Sequence, residues 1–177
     1  MGTWLRVAAC FAVLMCVPVA SAAAAEVTAT ISVSGGPMSI SADNVVLVPD
    51  GSTVGAYSQT SHWTATDARG TGGGWHLTIS VDMITADGLA IGDQALEIQL
   101  LDGSVDVVAG NARPSSLVAS PTPVPGTGSG SLRFLSAEAH QGMGTYDLHP
   151  EFNLTTPAGS SATSYSATLT VDIATGP

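Results

Sequence analysis

Residues 66–80 read Thr-Asp-Ala-Arg-Gly-Thr-Gly-Gly-Gly-Trp-His-Leu-Thr-Ile-Ser: four glycines, then a tryptophan, then polar and apolar residues in alternation. Trp75, Leu77, Ile79 and Val81 fall on one side of an extended chain, and His76, Thr78, Ser80 and Asp82 on the other. This is the two-residue period of a strand with one buried face. The indole of Trp75 is therefore expected to fill the gap between two sheets, burying roughly 150–250 Å². The glycines ahead of it supply a turn that needs positive φ and let neighbouring backbone come close to a large ring.

The same period recurs outward from this strand. Val27, Ala29, Ile31 and Val33 alternate with Thr28, Thr30 and Ser32, so Glu26 to Val33 reads as a strand. Asn44 to Val48 is a short buried-strand candidate, and Ser61 to Thr66 is expected to form a loose hairpin with the Trp75 strand. Leu96, Ile98 and Leu100 run to the turn signal Asp102-Gly103. The tract Pro121–Ser131 reads as a loop before Leu132 and Phe134 open another strand. Tyr146, Leu148, Phe152 and Leu154 share a face of one strand that Pro150 interrupts, a bulge or sheet edge. Tyr165, Ala167, Leu169, Val171 and Ile173 alternate in the last strand. No helix pattern stands out, and about seven to nine strands with Gly, Pro, Asn and Asp between them predict an all-β, antiparallel β-sandwich.

The N-terminus has another character. Arg6 is followed by a mostly apolar run, Val7 to Ala20, and by Ser-Ala-Ala-Ala-Ala, the pattern of a secretory signal peptide over residues 1–25 with cleavage near Ala22, Ala24 or Ala25. The run is too short to span a bilayer of about 30 Å, and Pro18 breaks it. Cys10 and Cys16 both lie in this leader, so no disulfide framework is available to residues 26–177, which are the right size for one domain. Val7-Ala-Ala-Cys10 resembles a lipoprotein box, but cleavage there would leave Phe11 to Ala20 on the mature end. With no later long apolar segment, no mature cysteine and no sorting-type tail, no covalent or membrane anchor is expected.

Arg6, Arg69, Arg113 and Arg133 are all the strong cations, against 14 acidic residues, and the formal net charge is −10. Nucleic acids and anionic lipid surfaces require cations to displace counterions, so they are excluded as partners. The acidity itself suits solubility outside the cell.

Trp75-His-Leu77 behind Thr66-Asp-Ala-Arg-Gly-Thr-Gly-Gly-Gly74 resembles the proximal motif of the WxL-domain surface proteins of Gram-positive bacteria. The terminal Tyr165-Ser-Ala-Thr-Leu169-Thr170-Val-Asp-Ile-Ala-Thr-Gly-Pro177 resembles their distal motif, although Val171 and Ile173 stand where Trp and Leu are typical. The resemblance covers roughly Tyr57 to Pro177, with Gly142-Met-Gly-Thr-Tyr146 and the Phe152 strand in the same style. It implies a secreted, non-catalytic protein held non-covalently on the cell wall or cell surface, with peptidoglycan or another wall glycan as ligand and Trp75, Leu77, Tyr165, Leu169, Thr170 and Pro177 as the motif residues. Both replacements keep the alternation, so the strand is expected to survive while any wall contact by a second Trp is lost. The alternative is a structural surface protein that pairs exposed sheet edges with itself or with other cell-surface proteins.

The residues themselves point away from catalysis. His62, His76, His140 and His149 lie in separate segments, there is no Gly-x-Ser-x-Gly, and no mature Cys could act as nucleophile. No pair of acids is placed for glycoside hydrolysis. No metal-ligand spacing is present; Asp50, Asp87 and Asp102, each before a Gly, read as turn formers rather than a loop calcium site. The Gly70–Gly74 loop lacks the Lys of a phosphate cradle, so no cofactor is expected. Asn153-Leu-Thr155 matches a glycosylation triplet but sits within an expected strand. Asp67 and Arg69 read as a turn cap and an exposed, weak ion pair.

Overall fold

The structure, a computed structural model, describes residues 34–49, 56–86, 89–91, 95–156 and 166–177. The leader, the Glu26–Val33 strand, Asp50, Asp87 and Tyr165 lie outside the described residues. In chain order the strands are β1 (Met38–Ala42), β2 (Val48–Pro49), β3 (Ala56–Thr60), β4 (Trp63–Asp67), β5 (Trp75–Val81), β6 (Ile84–Ala86), β7 (Leu89–Ile91) and β8 (Leu96–Gln99). A 3₁₀ turn at Asp102–Ser104 leads to β9 (Val105–Gly110), β10 (Ser115–Ser116), β11 (Thr122–Pro123), β12 (Leu132–Ala137), β13 (Gly144–Leu148), β14 (Glu151–Thr155) and β15 (Leu169–Thr175).

The fold is all-β and sandwich-like, built of antiparallel sheets. Sheet I has the order β1-β4-β13-β9, sheet II β10-β12-β5-β15 and sheet III β11-β8-β14-β3-β2, with β6 and β7 as a separate hairpin. There are more strands than the alternation alone suggests, because several pieces of two or three residues pair at the margins.

Two expected pairings are corrected. The segment ending at Asp67 and the Trp75 strand do not form a hairpin: β4 belongs to sheet I and β5 to sheet II, so the glycine loop carries the chain between layers. The strand through Tyr146 and Leu154 is likewise two strands. Pro150, which cannot donate to a ladder, lies in the corner where the chain leaves sheet I as β13 and enters sheet III as β14. In the Asn44–Val48 candidate only Val48 is in a strand, and Asn44 is exposed. The Pro121–Ser131 loop contains the short β11 and a buried Val124.

Period two explains the layers. In β4, Trp63, Ala65 and Asp67 point in while Thr64 and Thr66 are half-buried on the outer face. In β5, Trp75, Leu77, Ile79 and Val81 point in, all at most 1% exposed. β12 departs from the period: its register with β5 shifts between Arg133 and Leu135. Such a bulge turns consecutive side chains to one face, and Phe134 and Leu135 are both fully buried. Phe134 thereby meets the Trp63 ring edge-on, with centroids 5.9 Å apart. Trp63 also packs against Phe152 at 5.5 Å, so side chains of all three sheets meet at this one indole.

Candidate functional site

The two motif segments, β5 and β15, are neighbouring antiparallel strands. Thr175 pairs with Trp75, Ile173 with Leu77, Val171 with Ile79 and Leu169 with Val81. The inner side of this pair is core: Trp75 and Leu77 are fully buried, and Leu169, Val171 and Ile173 are half-buried against them. Trp75 and Leu77 thus present no surface to a ligand. Thr170 and Pro177 are exposed.

The Trp75 ring is held by Gly142 and Tyr146. Its Nε1 donates to the Gly142 carbonyl at 2.7 Å, and its ring lies 6.1 Å from that of Tyr146. The close backbone comes from Gly142, at φ +71°, where a Cβ would sit 2.3 Å from Ala137 Cβ and 2.7 Å from the indole nitrogen. Tyr146 donates its hydroxyl to the Met143 carbonyl at 3.1 Å, and burial pushes its pKa up.

The glycine loop is held by a clasp. Arg69 donates Nε and Nη2 to the two carboxylate oxygens of Asp67 at 2.8 and 2.9 Å, and Nη2 also to the Gly74 carbonyl at 2.8 Å. The backbone amide of Arg69 adds a bond to Asp67 Oδ1 at 3.1 Å. The Asp67 side chain is fully buried and that of Arg69 partly so, which corrects the expectation of an exposed, weak ion pair. Hydrogen bonds from Arg69 hold the Asp67 carboxyl below its ordinary range despite burial, and the same contact raises the guanidinium. Around the loop, the His140 amide donates to Gly72 and the Gly176 amide to Gly74, tying the C-terminal strand to the same end.

The outer side of sheet II is polar. Cross-strand neighbours Arg133, Thr78 and Asp172 form one row, and Thr170 stands beside Ser80. His76 continues the face and contacts the Gly176 carbonyl through Nδ1 at 2.7 Å. Arg133, Asp172 and Thr170 are exposed, while His76 and Thr78 are partly so. Such a surface offers hydrogen-bond donors and acceptors without an aromatic platform.

A second constellation was not legible in the order of residues. His62 and His149, from segments far apart in sequence, lie with ring centroids 5.2 Å apart. Sequence separation is thus no guide to their separation in space. Asp43, Asp106 and Asp147 surround them. The signal available in the sequence was weak: each histidine adjoins a single large apolar residue, in His62-Trp63 and Leu148-His149.

Among the described residues, no group of three or more His, Cys, Asp and Glu could hold a metal ion. No helix among them is long and apolar enough to cross a membrane. No family model, no curated protein and no solved structure matches the chain.

Proposed function

We propose that this chain is a secreted, non-catalytic surface protein that attaches non-covalently to the Gram-positive cell wall, through peptidoglycan or another wall glycan. The observation that carries the reading is the pairing of β5 with β15, which joins the two segments resembling the WxL motifs into one sheet. Their apolar side is consumed by the core, which leaves the polar outer side of sheet II, with His76, Thr78, Thr170, Asp172 and Arg133, as the recognition face. Hydroxyl and imidazole groups on a flat sheet suit the hydroxyls and amides of a glycan. Val171 and Ile173 point inward, so a Trp at those positions would pack into the core, and the proposed contact does not depend on it.

The test is co-sedimentation with peptidoglycan stripped of protein and polymer. The chain is expected in the pellet, and Thr78→Val combined with Thr170→Val is expected to shift it towards the supernatant. Wild-type protein that stays in the supernatant defeats the reading, and release of soluble sugar or peptide from the pellet would establish an enzyme instead.

The alternative, assembly through sheet edges, draws support from Val107 and Val108, exposed on the edge strand β9. Against it, the register of β9 with β13 breaks between Thr145 and Tyr146 and Asp106 stands on the same strand, both devices that blunt an edge. Sedimentation of the free protein as a monomer would dismiss this alternative.

A further inference from the structure

The polar face of sheet II holds one side chain whose hydrogen-bonding role the backbone fixes. His76 lies on β5 between its register partners, Ser136 of β12 and Ala174 of β15. Directly opposed side chains stand about 4.5–5.5 Å apart. Ala174 fills that space with a single methyl group, so the His76 ring has room to reach the Gly176 carbonyl, 2.7 Å from Nδ1. The carbonyl is itself held in place: Gly176 has φ +90°, in the region that favours glycine, and its amide donates to the Gly74 carbonyl at 3.2 Å.

A carbonyl oxygen only accepts, so Nδ1 must carry the proton. In a neutral imidazole one nitrogen donates and the other accepts, and the partner of one sets the role of the other. Nε2 of His76 is therefore an acceptor, and no hydrogen bond among the described residues engages it. Thr78 follows on the same face, about 6.8 Å further along an extended strand. Its hydroxyl, likewise unengaged among the described residues, is a donor beside that acceptor. Both residues are partly exposed.

We propose that His76, as the Nδ1–H tautomer, accepts the N–H of an acetamido group through Nε2 while Thr78 donates to the carbonyl of the same group, so that the face selects N-acetylated amino sugars over plain hexoses. A trans amide offers one donor and one acceptor pointing in opposite directions, the complement of this fixed order, whereas a sugar hydroxyl rotates to suit either order. An acetamido group also projects from its ring and ends in a methyl, so it reaches a flat sheet without the flanking side chains that a peptide bond brings. The inference rests on the wall-binding reading and names the ligand group that the face reads.

The test joins nuclear magnetic resonance to co-sedimentation. Long-range proton–nitrogen spectra of the isotope-labelled chain, taken at about pH 8 where an imidazole is neutral, are expected to show Nδ1 of His76 protonated. The tetramer of N-acetylglucosamine is expected to shift the Nε2 signal, and cellotetraose, with hydroxyls in place of the acetamido groups, to leave it unmoved. His76→Asn puts an amide nitrogen near the Nδ1 position, which keeps the contact with Gly176 and removes Nε2. Its affinity for stripped peptidoglycan is expected to fall about fivefold, the loss of one neutral hydrogen bond. His76→Gln, whose amide reaches the Nε2 position instead, is expected to retain more of the affinity. A ring protonated at Nε2 in the free wild-type chain overturns the proposal, and that measurement needs no variant to fold. Equal shifts with the two sugars overturn it as well, and so does His76→Asn that pellets as fully as a pelleting wild type. Wild-type protein that stays in the supernatant defeats wall attachment itself, whereas the sugar titration still decides the acetamido contact.

Discussion

At the scale of single residues, the glycine-rich end depends on two contacts of different kinds. Removing one member of a buried ion pair strands the other, so Arg69→Ala is expected to cost about 3–5 kcal/mol at neutral pH, measured by urea unfolding. The sign with pH follows from Asp67, whose carboxyl is held low chiefly by the Arg69 hydrogen bonds. A carboxyl with a lowered folded pKa stabilises the fold above its unfolded value and loses that contribution as pH falls through the folded value. The gap between wild type and Arg69→Ala should therefore narrow as pH falls into the acid range, beginning where the stranded carboxyl of the variant, pushed up by burial without its partner, takes up a proton. A gap that stays constant from neutral pH into acid would show that Arg69 acts through packing alone. The second contact is steric. Gly142→Ala would drive a methyl into Ala137 and the Trp75 nitrogen at a positive φ, whereas Gly70, also at positive φ, has open space around it. Gly142→Ala should destabilise by several times the roughly 1 kcal/mol expected of a strain-only change such as Gly70→Ala. Equal losses would mean the clash is relieved at little cost.

At the scale of elements, alternation was a good guide to which side chains point inward and a poor one to which strands pair. The β5 pattern from Trp75 to Val81 announces its buried face because a half-buried strand can place only every second residue in the core. The same pattern carries nothing about partners, and β4 with β5, joined by a short glycine loop, end in different sheets. β13 and β14 read as one strand because apolar positions keep their period across the corner, and only Pro150 hints at the break. β9 went unread since Val105, Val107 and Val108 break the period, and the structure explains this by the irregular register there. The paired histidines are the product of two such corners, so nothing local could have joined them. β15 is where alternation and resemblance can be weighed against each other. Leu77 is fully buried in a central strand, while its register partner Ile173 is half-buried at the sheet edge. Leu77→Ala is expected to cost about 2–5 kcal/mol and Ile173→Ala roughly half as much, by chemical denaturation. A larger loss at Ile173 would make β15 a principal prop of the core rather than an edge.

At the scale of the whole molecule, charge decides how a wall could be held. The chain carries a net charge of −10. Of its described arginines, Arg69 is committed to Asp67 and Gly74, and Arg113 donates to the Asp102 carbonyl. Arg133 alone among the described residues brings a strong cation to the outer face of sheet II. One exposed cation is worth at most about 1 kcal/mol, too little for tight attachment to an anionic polymer against the repulsion of the remaining surface. In the proposed contact, hydrogen bonds from Thr78, Thr170 and His76 would act at contact distance, where salt screens little. Raising salt from 0.1 to 1 M shortens the screening length from about 10 to about 3 Å, which weakens long-range repulsion while leaving those bonds intact. The bound fraction on stripped peptidoglycan should therefore hold steady or rise slightly across that range, and Arg133→Gln should change it little. Release of the protein by 1 M salt, together with loss of binding in Arg133→Gln, would mean that ion pairing holds the chain to the wall and that the hydroxyl-bearing face is not the contact.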